Sequence, residues 1–361
     1  MPNPITTYLK NLFAKKRLIG DNVQLQGVVK ADALLNDLVN KKKVPGLAIT
    51  VVKDGKIHLQ KGYGYADMED KTAINPRKTI FRIASVSKNI AATALAHMVS
   101  EGTIDLEASF YDYVPYFPVK KYDFTIRQLA SHTAGIRGYR GTEYGLNKCY
   151  TIKESIEIFA DDALLFEPGT DYFYTSYDWV LISLAMQEAS GIPFEEYVQK
   201  KVLNPLGMES TFPENSDYKQ LASFYSKNRL GFRKAIPVNN YFKLAGGGYL
   251  SSSEDIANFG QAYLENKILN KEVLSPFMTS EKVNGKKTYY GLGWQVSEDN
   301  KGRQYYGHVG NGVGGYSNFY VYPKQRMVFA ILINSTNPNV QDVLDKVVDA
   351  LISESTQESL V

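Results

Sequence analysis

The chain has 361 residues, a mass of 40.5 kDa and a net charge of +3, with 44% hydrophobic and 22% charged residues. That composition excludes a disordered or fibrous protein, and the small positive charge gives no footing for nucleic acid. Cys149 is the only cysteine, which excludes a disulfide framework.

Near the N-terminus, Ile5, Leu9, Leu12 and Phe13 share a helical face bordered by Lys10, Lys15, Lys16 and Arg17. The segment reads as a short helix packed on the body, with a membrane-surface helix as the sharper alternative. No apolar run is long enough for a membrane span. The sequence fits a cytoplasmic protein as written, and a periplasmic or secreted one if a leader has been removed.

Residues 44–52 are apolar and β-branched, and Asp54-Gly55 predicts a hairpin to a second strand over 57–64. A strand-like Phe81-Arg82-Ile83-Ala84 leads into a helical pattern over 87–100, with Gly102 placed to close it. Helices are predicted over 125–131, with Asp123 or Thr125 as the cap, and over 177–190, 194–203 and 255–265. Strands follow over 290–296, 303–308, 315–322 and 327–333, and an amphipathic helix over 342–352. Strands at both ends and helices between them predict an α+β fold: an antiparallel sheet built from both termini, with a mostly helical insertion. The expected organisation is an N-terminal extension over 1–27 and a single catalytic domain over 28–356. Within that domain, 28–84 and 245–356 would form the sheet part and 85–244 the helical part.

The four histidines, His58, His97, His132 and His308, show no metal-binding spacing, and no metal or cofactor is expected. Gly310-Asn311-Gly312-Val313-Gly314-Gly315 matches a dinucleotide-binding pattern, but a strand-like Tyr316–Tyr320 follows where that motif needs a helix. It reads as a turn beside a sheet edge. The elbow G-x-S-x-G is absent, since Phe319 ends the only candidate.

Ser85-Val86-Ser87-Lys88 is S-x-x-K. A serine at a helix start lies near positively polarised amides, and a residue three positions on shares its face. The lysine can then take the serine proton or stabilise the group that does. An ordinary capping serine beside an exposed lysine is the alternative. A second S-x-x-K, Ser216 to Lys219, sits in a polar stretch and reads as surface.

The segment 81–88 resembles the nucleophile segment of the serine β-lactamase and penicillin-binding-protein superfamily, on its class C and esterase side. Further segments match in the family's order. They include Thr125–Ile136, with Ser131-His132-Thr133-Ala134-Gly135, and Pro168-Gly169 through Tyr174-Thr175-Ser176-Tyr177. Asn204–Met208, Ala245–Ser252, Tyr290–Trp294 and Tyr306-Gly307-His308-Val309-Gly310 continue the series.

The resemblance implies Ser85 as nucleophile, with Lys88 and Tyr174 as the proton-handling pair. Tyr174 would be the base if Lys88 holds it as phenolate, because an ordinary tyrosine titrates near about 10. It implies the backbone N–H groups of Ser85 and Asn311 as oxyanion hole, and Ser176, His308 and Gly310 as the substrate-binding side; His308, opposite the helix, could orient Tyr174 or meet the carboxylate side of an ester, and is not taken as the base. His132 is expected to be structural, fixing its turn through backbone hydrogen bonds. Tyr249-Leu250-Ser251 and Tyr316-Ser317-Asn318 are decoys of the tyrosine motif, as 26 tyrosines make natural.

Two positions depart from the family. Ser176 stands where an asparagine is usual, and a hydroxyl cannot offer both an NH2 and a carbonyl. His308 stands where β-lactamases carry the lysine that meets the substrate carboxylate. The expected activity is a carboxylesterase-type serine hydrolase working through an acyl-enzyme. A D-amino-acid peptidase or DD-carboxypeptidase comes next, and β-lactam hydrolysis last. A catalytically degraded binding or scaffold protein is the reading from another class. The partners expected are small-molecule esters, peptides or β-lactams.

Overall fold

A computed structural model of the chain describes residues 25–214, 218 and 220–358. The amphipathic N-terminal segment and the second S-x-x-K fall outside the described residues. The chain divides into two compact units, one of residues 45–338 and one of residues 1–44 and 339–361.

The larger unit is organised on a seven-stranded antiparallel sheet. Its strands are β1 (Gly46–Lys53), β2 (Lys56–Asp67), β3 (Thr72–Ala73), β4 (Gln295–Glu298), β5 (Gln304–Gly312), β6 (Gly315–Tyr322) and β7 (Met327–Ile333), in the order β4-β5-β6-β7-β1-β2-β3. The two ends of the sequence meet where β7 pairs with β1, from Leu47↔Ile333 to Lys53↔Met327. The sheet is thus built from both termini, as the pattern of strands predicts. Strands β6 and β7 are buried along their whole length, which is why they read as continuous apolar or aromatic runs rather than alternating ones. The β1–β2 hairpin turns through Asp54 (φ 49°) and Gly55 (φ 77°), the pair of left-handed residues that a two-residue hairpin requires.

Between the sheet halves lie α1 (Ser87–Ser100) and α2 (Ser176–Ser190), buried over Ser87–Ala96 and Tyr177–Met186. Both are apolar nearly all round, the mark of helices inside a core. A third helix, α3 (Ser253–Leu264), packs across β1, β6 and β7, and a side chain at its Gly260 would stand 2.5 Å from Val328. The predicted cap at Thr125 is present as a capping box with Gln128.

Three elements differ from expectation. Residues 290–294 are not a strand. Gly291 N–H bonds to Trp294 O at 2.8 Å and Gly293 is left-handed (φ 79°), so the chain turns tightly and β4 begins only at Gln295. Strand β5 runs on to Gly312, so the glycine-rich motif is half strand and half hairpin, turning at Val313-Gly314. The smaller unit contains a helix over Gly27–Asn40 that the sequence pattern did not reveal. It packs on the C-terminal helix Gln341–Glu358, whose Glu354 carboxylate accepts the Val28 N–H at 3.0 Å.

Candidate active site

Phe81-Arg82 pairs with the short strand Tyr249–Ser251, and the chain then turns through Ala84 into a 3₁₀ turn over Ala84–Val86. Ala84 has φ 46°, a left-handed conformation that costs an alanine about 1–2 kcal/mol. That turn lifts Ser85 out of the core. Its neighbours Ala84, Val86, Ser87 and Lys88 are all buried while Ser85 is partly exposed. Ser85 therefore precedes α1 by one turn rather than sitting inside it.

Two contacts brace this turn. Ser317 Oγ donates to Ile83 O at 2.7 Å. Strand β5 passes so close that a side chain at Gly310 would stand 2.4 Å from Ile83 O and 2.3 Å from Ser317 Oγ. Only glycine allows that approach, which brings Asn311 and Gly312 alongside the Ser85 turn.

Lys88 Nζ lies 3.3 Å from Ser85 Oγ, 3.2 Å from Ser176 Oγ and 2.6 Å from Gly246 O. The residue is fully buried. Burial, helped by repulsion from Lys243 and opposed by Asp178, lowers its ammonium to about 7. Tyr174 Oη donates to Ser85 Oγ at 2.9 Å, and its ring stands 4.8 Å from Lys88 Nζ. Burial of that hydroxyl pushes the phenol up, even though 37% of the residue is exposed. The phenolate expected for Tyr174 does not fit this balance. The lysine, not the tyrosine, is the group that burial brings toward its neutral form at pH 7.

Beneath Tyr174 lies a ring cluster. His132 packs against it at 4.4 Å between centroids with the rings tilted by 53°, with Tyr290 at 5.9 Å and His308 at 5.8 Å. His308 is 1% exposed, and both its nitrogens are engaged, Nδ1 by Val309 O at 2.7 Å and Nε2 by the Tyr290 hydroxyl at 3.0 Å. Burial lowers it to about 3, so it is a neutral imidazole. This corrects its placement on the substrate-binding side: a buried, doubly bonded ring has no free edge to offer, and His308 supports Tyr174 from behind.

His132 holds its turn through backbone hydrogen bonds, as expected, with Thr175 N–H also reaching its Nδ1 at 3.4 Å, and it has a further partner. Phe173 N–H does bond to its backbone oxygen at 2.9 Å, but its side chain pairs with Asp178 at 2.6 Å. Burial pushes His132 down and Asp178 up, which favours a neutral pair. Asp178 escaped the sequence reading. The available signal was a carboxylate inside the otherwise apolar run Tyr177–Met186.

Ser85, Ala84, Arg82, Ser176, Lys243 and Asn311 are among the residues lining a small open cleft. Asn311 is exposed, with its carbonyl accepting the Tyr144 hydroxyl at 3.3 Å and its side-chain oxygen accepting Asn337 N–H at 3.2 Å. The structure thus brings Ser85, Lys88, Tyr174 and Ser176 into direct contact and sets Gly310 and Asn311 beside them. Of the decoys, Tyr249-Leu250-Ser251 is a buried strand, and Ser317 serves as a brace. Among the described residues no group of three or more His, Cys, Asp or Glu could hold a metal, and no helix is long and apolar enough to cross a membrane.

Residues 31–354 match the family model described as Beta-lactamase. The human protein "Serine beta-lactamase-like protein LACTB, mitochondrial" is 28% identical over 392 residues, covering 81% of this chain and 71% of its own. Among solved structures, the octameric penicillin-binding protein homologue from Pyrococcus abyssi superposes with a TM-score of 0.79 at 27% identity, over 90% of this chain and 77% of that one. D-amino acid amidase from Ochrobactrum anthropi SV3 superposes with a TM-score of 0.80 at 21% identity, over 90% and 98% of the two chains, which speaks to the fold alone.

Proposed function

This chain belongs to the beta-lactamase family, and we propose that it is a carboxylesterase-type serine hydrolase acting through an acyl-enzyme on Ser85. The observation that carries the reading is the meeting of two proton-handling groups on one serine oxygen, Lys88 at 3.3 Å and Tyr174 at 2.9 Å. A degraded binding protein has no reason to keep that convergence.

Neutral Lys88 takes the Ser85 proton as Oγ bonds to the substrate carbonyl carbon. The carbonyl oxygen becomes an oxyanion held by the N–H groups of Ser85 and Asn311. The C–O or C–N bond then breaks as the Tyr174 hydroxyl gives its proton to the leaving group, and the Lys88 ammonium beside the ring returns a proton to Tyr174. Water then bonds to the acyl carbon and gives a proton to neutral Lys88, which returns it to Ser85 Oγ as the acyl-enzyme bond breaks and the acid leaves. Ser176 keeps the contact with Lys88 through its hydroxyl but has no amide to present to a substrate.

β-Lactam turnover asks for a cation at His308 and an amide at Ser176, and this site has neither. Each charge-assisted bond lost costs about 1.5–3 kcal/mol, and two together on the order of 10²–10⁴ in rate. Ready hydrolysis of p-nitrophenyl acetate and weak turnover of nitrocefin are expected, with Ser176→Asn, which restores an amide beside Lys88, raising the nitrocefin-to-ester ratio. A kcat/KM for nitrocefin above that for p-nitrophenyl acetate in the native enzyme would contradict the esterase reading.

A further inference from the structure

Two cations line the cleft beside Ser85, and they differ in how they are used. Arg82 is filled. Its Nε donates to both Glu214 oxygens at 2.8 and 3.0 Å, a second nitrogen pairs with the same carboxylate, and a third donates to Val313 O at 2.7 Å. Asn240 adds a fourth hydrogen bond to Glu214 at 2.8 Å, so that carboxylate is occupied as well.

Lys243 is not filled. It sits on the short turn Tyr241–Lys243, just before the Leu244–Gly248 segment whose Gly246 carbonyl accepts Lys88. It is only 6% exposed. Its ammonium has three N–H groups, and one acceptor, Tyr144 O at 3.2 Å, is within reach. The rings of Tyr139, Phe242 and Tyr144 stand 5.2–5.6 Å away. Among the described residues no carboxylate lies within 4 Å of it. A buried ammonium with spare donors and no carboxylate in contact is costly, and an anion entering the cleft relieves that cost.

We infer that Lys243 is the anchor for a carboxylate on the acyl chain of the substrate, so that the enzyme prefers esters whose acyl group ends in a carboxylate. The inference rests on the proposed esterase reading. The acyl side is assigned because Tyr174, which hands the proton to the leaving group, is not among the residues lining this cleft, whereas Ser85, Ser176 and Lys243 are. The acyl portion is therefore the part of the substrate left to fill it. The tyrosines that face Lys243 keep it from being crowded by negative charge, since burial raises both Tyr139 and Tyr144 and they stay neutral phenols.

The charged groups around Lys243 are Arg82, Glu214 and Lys88. Burial first, and then repulsion from Arg82, lowers Lys243 to about 8, while Glu214 holds it up. Its charge is thus present at pH 6–7 and is lost as pH rises through about 8.

The test compares mono-p-nitrophenyl adipate with its methyl ester, which has the same leaving group and chain but no charge. Taking the ratio of their kcat/KM values cancels the titration of Lys88, on which both depend. The native enzyme should favour the anionic ester by about tenfold to a hundredfold at pH 6.5, the worth of one hydrogen bond to a charged group. That ratio should fall as pH rises past about 8. It should collapse toward one in Lys243→Gln and be partly kept in Lys243→Arg. A native ratio near one, or a ratio untouched by Lys243→Gln, overturns the inference. If Lys243→Gln does not fold, the native ratio and its pH course decide alone. A preference for 3-carboxyphenyl acetate, with its charge on the leaving group, overturns the acyl-side assignment. Full activity of Ser85→Ala on both adipate esters would instead refute the serine-hydrolase mechanism itself.

Discussion

Replacing Ser85 with alanine is expected to abolish ester turnover, with a loss on the order of 10⁶ in kcat, the size seen when a serine nucleophile is removed from another enzyme. The fold should survive. Ser85 is partly exposed, and Lys88 keeps its bonds to Ser176 Oγ at 3.2 Å and Gly246 O at 2.6 Å. Thermal unfolding of Ser85→Ala should therefore stay close to native, which separates lost chemistry from lost structure. Two other serines serve as controls. Ser317→Ala removes the donor to Ile83 O and should cost about 1 kcal/mol of stability, with a far smaller loss of rate. Ser216→Ala, in the second S-x-x-K, should change little. An equal loss at Ser216 would mean that the nucleophile lies there.

The second large effect concerns Lys88. Its replacement by methionine removes the proposed base and is expected to lower kcat/KM by about 10²–10⁴. The pH profile carries the sharper information. With the neutral amine as the proposed active form and burial lowering Lys88 to about 7, kcat/KM should be low below that value and rise through it to a plateau. That ascending limb should vanish in Lys88→Met. A tyrosine acting as phenolate would give a different profile. Burial pushes the Tyr174 phenol above its ordinary value, so a limb lying above about pH 10 and removed by Tyr174→Phe would restore the phenolate mechanism.

Much of this arrangement could be read from the residues, for identifiable reasons. Asp54-Gly55 announces its hairpin because two successive left-handed residues are needed there. The S-x-x-K of 85–88 places two functional groups three residues apart, and local geometry carries them together whatever the rest of the chain does. Tyr174 is legible only through its motif, since 89 residues separate it from Ser85.

What the sequence hides is what tertiary packing decides. Tyr290–Trp294 is rich in strand-forming aromatics, yet a left-handed Gly293 folds it into a turn that delivers Tyr290 to His308. His308 sits in a strand that looks able to face the substrate, but burial turns it into a neutral support. Lys243 lies in no motif that the family resemblance brings forward. Its interest comes from spare donors with no carboxylate in contact, and a missing neighbour is visible only in three dimensions.

The central claim is that Ser85 forms the covalent intermediate. It is tested most directly by labelling the native protein with a fluorophosphonate at pH 7.5, digesting it and locating the adduct by mass spectrometry. The account predicts one phosphonylated residue, Ser85, with labelling lost in Ser85→Ala and slowed in Lys88→Met. An adduct on another serine, or no adduct in a protein that still hydrolyses p-nitrophenyl acetate, would contradict it.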